Sequence, residues 1–307
     1  MNSYEIVVSG VVKTFGQNRL GPFELNIEPG VVVAFVGPNG SGKTTLLQML
    51  MNVVLPDQGT IRVFGEAYEQ REIKMKRRIG YVADSSFVEE EKSSIEEVMR
   101  FHSHWFPSWS ADKWAELCVR FGLNPREKVN RLSKGMKRRL SFCLAIAQMP
   151  QLLILDEPSS GLDPFIWRMM IQEIQEFMDG GKRTVLIATH TIEEVRRLAD
   201  YVAFIHDGKL VLYEEKDAIL DAWRALWIEA PHVEPERLPG VVEWERGALT
   251  RLVTQNAFAT EAALQSADIP VVKRQAIELD EILHYIVAMK ERTDPSGSGT
   301  KRGERTQ

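Results

Sequence analysis

Residues 31–45 read V-V-V-A-F-V-G-P-N-G-S-G-K-T-T, and no other stretch restricts the fold of this chain as much. The run of β-branched and aromatic residues suits a strand covered on both faces. Gly, Pro and Asn then break it, and a helical pattern begins over Thr44–Met51. A buried strand, a tight turn and a helix in that order start an α/β fold. The turn matches G-x-x-x-x-G-K-[ST] in full. Gly37, Gly40 and Gly42 permit backbone angles that side chains would block. With Pro38, Asn39 and Ser41 between them, successive amides can face inward around a β-phosphate. The helix that starts near Lys43 adds its positive end. In this reading Lys43 reaches the β- and γ-phosphates, Thr44 ligates Mg2+ through its hydroxyl, and Thr45 reaches the α-phosphate. The competing reading is a glycine turn that happens to match; the strand before it and the helix after it argue for the phosphate loop.

A second buried run, L-L-I-L-D-E-P at 152–158, ends in two acids. A charge closing a core strand is costly unless it has a partner or a task. Asp156 is placed to hold Mg2+ through its water shell, and Glu157 to polarise the water that attacks the γ-phosphate in line. A structural Asp beside a solvated Glu is the alternative. His190 closes a third run, T-V-L-I-A-T at 184–189. It is either a structural strand-end histidine or a group that contacts the γ-phosphate and senses its loss.

Around these parts the patterns read as strands at 4–12, 22–28, 60–64 and 79–82. Residues 93–148 carry helical spacing, residues 164–178 form a helix, and 191–199 form a helix opened by Thr191. Residues 201–206 and 209–213 make a hairpin turned at Asp207-Gly208. Beyond residue 216 the short runs V-V-E-W-E and P-V-V-K-R precede a closing helix, I-E-L-D-E-I-L-H-Y-I-V-A-M-K-E-R. The division expected is 1–215, with a helical subdomain at about 86–150, then an accessory domain at 216–290 and a disordered tail at 291–307.

The 307 residues suffice for a large core, so neither disulfides nor metals are needed to hold it. Cys118 and Cys143 lie in helical apolar patterns and read as buried thiols in a reducing compartment. The net charge of −5 gives no reason to expect nucleic acid as a partner. The N-terminus lacks the pattern of a signal peptide. No run approaches the ~18–20 apolar residues of a membrane span, so any membrane role is expected to come through a partner.

The order of parts resembles the nucleotide-binding subunit of ATP-binding cassette (ABC) transporters. The phosphate loop comes first. L-S-K-G-M at 132–136 resembles the signature L-S-G-G-Q, L-L-I-L-D-E-P follows one helix later, S-S-G-L-D at 159–163 resembles the D-loop, and His190 closes the set. The resemblance covers residues 4 to about 215. It implies an α/β P-loop NTPase ABC cassette with an inserted helical subdomain and a small C-terminal α+β appendage. It implies ATP and Mg2+ as cofactors and a second cassette packed head to tail as partner. Ser133 and Gly135 would then contact the γ-phosphate of ATP held by that partner, and Asp163 would lie across the interface. Phe15 would stack on adenine; a core phenylalanine is the other reading. S-H-W-F-P-S-W-S at 103–110 and I-E-L-D-E-I-L look like the exporter branch in Gram-positive bacteria.

This sequence departs from the family at three places. Lys134 and Met136 replace a glycine and the glutamine of the signature. Asp84 in I-G-Y-V-A-D stands where the family has glutamine, and Ser85 and Ser86 offer no shifted substitute. Asp84 is expected to touch Mg2+ or its water, at the cost of a negative charge near phosphates. The function implied is an ATP-hydrolysing subunit that powers a membrane exporter, on the cytoplasmic face of the membrane through a permease. The alternative is a soluble ABC ATPase acting on ribosomes or DNA. A P-loop kinase would have no use for L-S-K-G-M or S-S-G-L-D.

Overall fold

The computed structural model describes residues 4–68, 71–84, 92–230 and 232–293. The chain divides into two compact units, Met1–Tyr213 and Glu214–Gln307.

The first unit opens with the antiparallel pair β1 (Ile6–Phe15) and β2 (Asn18–Ile27). Then come β3 (Val32–Val36), α1 (Lys43–Leu50), β4 (Gln58–Val63), α2 (Glu72–Lys76) and β5 (Ile79–Val82). A helical stretch follows: α3 (Ile95–Trp105), α4 (Ala111–Arg120), a 3-10 turn at Val129–Arg131 and α5 (Lys134–Ala147). The unit closes with β6 (Leu152–Asp156), α6 (Pro164–Met178), β7 (Thr184–Thr189), α7 (Ile192–Leu198), β8 (Tyr201–His206) and β9 (Lys209–Glu215). Six strands form one sheet in the order β5-β6-β7-β3-β8-β9, and β2-β1-β4 form a second. The contacts among β5, β6, β7, β3 and β8 are parallel.

The central strands are apolar on both faces because both faces are covered. Leu153 and Leu155 of β6 pack with α4, α5 and α6, through Leu117, Phe142 and Ile174. Leu152 and Ile154, one residue out of phase, pack with α1 and the antiparallel sheet, through Leu47 and Phe23. Burying each such side chain is worth about 2 kcal/mol. A strand embedded this way therefore tolerates a charge only at its end, where Asp156 lies.

Strand β1 runs beyond the expected 4–12. Register shifts between Val8, Val11 and Lys13 break its alternation and conceal its continuation to Phe15. Thr191 occupies the N-cap of α7, but its side chain accepts no capping hydrogen bond. Its own N–H instead donates to Thr189 Oγ1 at 2.9 Å.

The second unit comprises α8 (Lys216–Ala222), β10 (Arg224–Ile228), β11 (Val241–Glu245), β12 (Thr250–Thr254), α9 (Ala257–Ser266), β13 (Val271–Ala276) and α10 (Leu279–Thr293). Its antiparallel sheet has the order β11-β12-β10-β13 and encloses Leu226, Ile228, Leu252 and Leu264. Helix α10 extends to Thr293, so the first residues of the expected tail are helical. The rest of that tail, with Ser85 and Ser86, lies outside the described residues. Among the described residues no helix is long and apolar enough to cross a membrane.

Candidate active site

The turn after β3 closes too tightly for side chains at two of its glycines. A Cβ on Gly37 would lie 2.1 Å from the Ile205 carbonyl oxygen. Gly42, the N-cap of α1, has φ 105°, and a Cβ there would lie 2.9 Å from Leu20 Cδ2. The loop and the first turn of α1 line a cavity of about 620 Å³, from Pro38 through Thr45. Phe15, Asp84 and Glu157 reach the same cavity from other elements. So do Gln17, Asn18 and Arg19, which sequence reasoning did not single out, and Asp207 and Gly208, which it read only as a hairpin turn.

Within the loop, Lys43 is buried, and its Nζ donates to the carbonyls of Gly37 at 2.8 Å and Pro38 at 3.1 Å. The same Nζ lies 3.6 Å from Glu157 Oε1. Ser41 Oγ is buried with no hydrogen-bond partner among the described residues. Thr44 donates its hydroxyl to Asp156 Oδ1 at 3.0 Å, joining the helix start to the end of β6.

Asp156 is 1% exposed. Burial pushes its carboxyl up to about 6 despite the Thr44 hydrogen bond. The charges of Asp84 and Glu157 push the same way, and Lys43 opposes them. An acid crowded by two others and short of cations matches the charge of a divalent ion. The donor set fits Mg2+: one hydroxyl and one carboxylate in contact, with Asp84 bordering the same cavity.

Glu157 follows at the strand end with φ 50°, a left-handed conformation. Its N–H donates to the Ala188 carbonyl at 2.8 Å, and its Oε2 lies 2.7 Å from His190 Nδ1. Strands β6 and β7 are parallel neighbours, which is why their terminal residues meet. Phe15 is 47% exposed at the cavity's edge, with Lys13 Nζ 5.7 Å from its ring centroid. It is no core residue.

Ser133 and Gly135 do not line this cavity. Ser133 caps α5, its hydroxyl accepting from the Met136 N–H at 3.2 Å. Gly135 approaches the D-loop: a Cβ there would lie 3.4 Å from the Gly161 carbonyl oxygen. Asp163 caps α6, accepting from the N–H groups of Phe165 and Ile166, both at 3.0 Å. Sequence reading also missed Arg138, buried between Asp84 and Glu157. It lies in K-R-R-L-S-F, a stretch whose helical spacing does not mark which of the basic residues faces inward.

Comparison with known proteins matches residues 20–160 to the ABC transporter family. The chain is 35% identical over 211 residues to a daunorubicin/doxorubicin resistance ATP-binding protein of Streptomyces peucetius, across 67% of this chain and 64% of that one. It is 32% identical over 214 residues to a lantibiotic transport ATP-binding protein of Streptococcus pyogenes, across 68% of this chain and 90% of that one. Among solved structures, a dimeric ATP-binding cassette in a post-hydrolysis state with ADP and Pi shares the fold. Its TM-score is 0.60 at 23% identity, over 68% of this chain and 98% of that one.

Proposed function

The chain belongs to the ABC transporter ATP-binding proteins, and from that premise we propose that it hydrolyses ATP to drive export through a membrane-spanning permease. The observation that carries the reading is the position of Glu157. Its carboxylate borders the phosphate-loop cavity, 3.6 Å from Lys43 Nζ and 2.7 Å from His190 Nδ1.

The loop amides of 37–42 and Lys43 bind the triphosphate, and Phe15 stacks on the base. Thr44 and Asp156 would hold Mg2+, which would neutralise charge developing on the phosphates. Glu157 accepts the proton of the attacking water, and His190 holds Glu157 and faces the γ-phosphate. Ser133 and Gly135 lie away from this cavity and serve ATP bound by a second cassette. The two sites are therefore complete only in a head-to-tail dimer. Loss of the γ-phosphate removes the charge that holds the halves together. Export is the direction because the relatives are named for drug resistance and lantibiotic transport. The chain works on the cytoplasmic face of the membrane, bound to its permease.

The test is to purify the chain from mild detergent extracts of its native cells. Mg2+-dependent ATP hydrolysis, abolished by chelation, together with a co-purifying membrane protein is the expected result. Retention on ribosomes or DNA at moderate salt, with no membrane partner, would overturn the transport assignment.

A further inference from the structure

One side chain outside the phosphate loop ties together three segments of the site. Arg138 lies in the second turn of α5 and is 3% exposed. Its Nη1 donates to the Glu157 carbonyl and its Nη2 to the Asp84 carbonyl. Nη2 also pairs with Asp84 Oδ1 at 2.9 Å. A single planar group thus joins the signature helix, the segment leaving β5 and the peptide of Glu157.

A buried guanidinium is costly unless its donors are met and its charge is paired. Two carbonyls and one carboxylate meet it here. Glutamine at 84 would offer an amide oxygen without a charge and leave the Arg138 cation with neutral acceptors only. The acid at 84 and the arginine at 138 therefore account for each other.

The contact also bears on how Glu157 points. Its φ of 50° is a conformation that a residue with a side chain keeps only where its surroundings enforce it. The Glu157 N–H is held by Ala188, and its carbonyl is held by Arg138. With both flanking peptides fixed, the direction of the Cα–Cβ bond is fixed, and so is the reach of the carboxylate.

We infer that Arg138 is a positioning residue for hydrolysis, with Asp84 as its ionic partner, so that the signature helix, the β5 exit and Glu157 hold one common register. This rests on the ATPase reading above. Arg138 acts through Glu157, so its loss should slow turnover without weakening nucleotide binding.

The experiment compares the full-length wild type with Arg138→Gln, Arg138→Lys, Asp84→Gln and the double variant Asp84→Gln/Arg138→Gln. The measurements are kcat, KM for ATP, affinity for a non-hydrolysable ATP analogue and thermal midpoint. Loss of a coupled, buried contact predicts a kcat about tenfold lower in each single variant, with analogue affinity unchanged in the two Arg138 variants. Lysine keeps the charge but cannot span both carbonyls at once, so Arg138→Lys should also be slow. The double variant removes a contact that either single variant has already broken, so its kcat should fall no further than that of Arg138→Gln.

Three results would overturn the inference: wild-type kcat in Arg138→Lys, losses that simply multiply in the double variant, or kcat and affinity falling together in the Arg138 variants. If Arg138→Gln does not fold, Arg138→Lys and the double variant decide it. A wild-type chain that fails to bind the analogue sinks the ATPase reading instead, before any variant is compared.

Discussion

The Nδ1 atom of His190 lies 2.7 Å from Glu157 Oε2, where two neighbouring parallel strands end side by side. The carboxylate is thereby held between a histidine and the ammonium of Lys43, 3.6 Å away on its other oxygen. If Glu157 accepts the proton of the attacking water, Glu157→Gln keeps the shape and removes only the basicity. Analogue affinity should stay near wild type while turnover falls about a hundredfold or more. A closed dimer should accumulate with ATP, visible by size exclusion. Hydrolysis at the wild-type rate would remove Glu157 from that role.

Lys43 has a second measurable consequence. Its ammonium donates to the Gly37 and Pro38 carbonyls, inside the loop proposed to hold phosphate. Lys43→Ala should therefore weaken nucleotide binding more than it destabilises the loop. A charge-assisted contact worth about 1.5–3 kcal/mol corresponds to a roughly tenfold to hundredfold rise in Kd. Titration with the analogue at constant Mg2+ checks it, and an unchanged Kd would contradict the cradle.

Asp156 predicts a pH dependence. Its carboxyl titrates at about 6 in the folded chain against an ordinary 3.8. A raised folded value means that the protonated acid's contribution is fully present below 3.8 and is lost as pH rises through about 6. Above that range the native state carries a buried anion, and Asp156→Asn relieves it. The nucleotide-free variant should match wild type near pH 4. It should gain relative stability up to pH 6–7 and then level off about 3 kcal/mol ahead. Denaturant titrations at several pH values, without Mg2+, measure the difference. A gap independent of pH would show that Asp156 is not held protonated by its site.

The parts of this site that the sequence displays are those carried by local pattern. Leu152–Asp156 and Thr184–Thr189 are legible as strands because burial on both faces demands unbroken apolar runs, and their ends show at the first charged or polar residues. Asp84 could be seen as odd, but its partner could not, because Arg138 is 54 positions away and no periodicity links the two. The full length of β1, and with it the place of Phe15 beside the cavity, is hidden by register shifts that interrupt alternation. In the C-terminal unit, R-A-L-W-I and T-R-L-V-T are five-residue strands whose buried faces are set by pairing within their own sheet. Segments that short carry too few turns of any period to stand out.

The last prediction concerns what holds the helical stretch to the sheet. Glu173 of α6 is fully buried, and two cations of α4 converge on it: Lys113 Nζ at 2.7 Å and Arg120 Nη1 at 2.7 Å. Lys113 and Arg120 lie two helical turns apart on one face of α4, so both reach the same acid on α6. Both cations are about one-fifth exposed, which softens their own desolvation. Glu173→Ala removes the shared buried anion and leaves Lys113 paired with Glu116, at 3.0 Å, and Arg120 with Glu176, at 2.8 Å, both acids being about half exposed. Breaking such a pair costs about 3 kcal/mol, or a thermal midpoint roughly 10 °C lower. Glu176 of α6 keeps a link to Arg120, but it is half exposed, and a solvent-screened pair contributes less than the buried one. Analogue affinity should be unchanged, because none of these residues lines the nucleotide cavity. Replacing all three by Met, Leu and Leu should restore much of the midpoint, since apolar side chains of similar volume fill the space without an unpaired charge. Calorimetry on the two variants decides it: a midpoint in Glu173→Ala equal to wild type would mean that the ion pairs do not fasten α4 to α6.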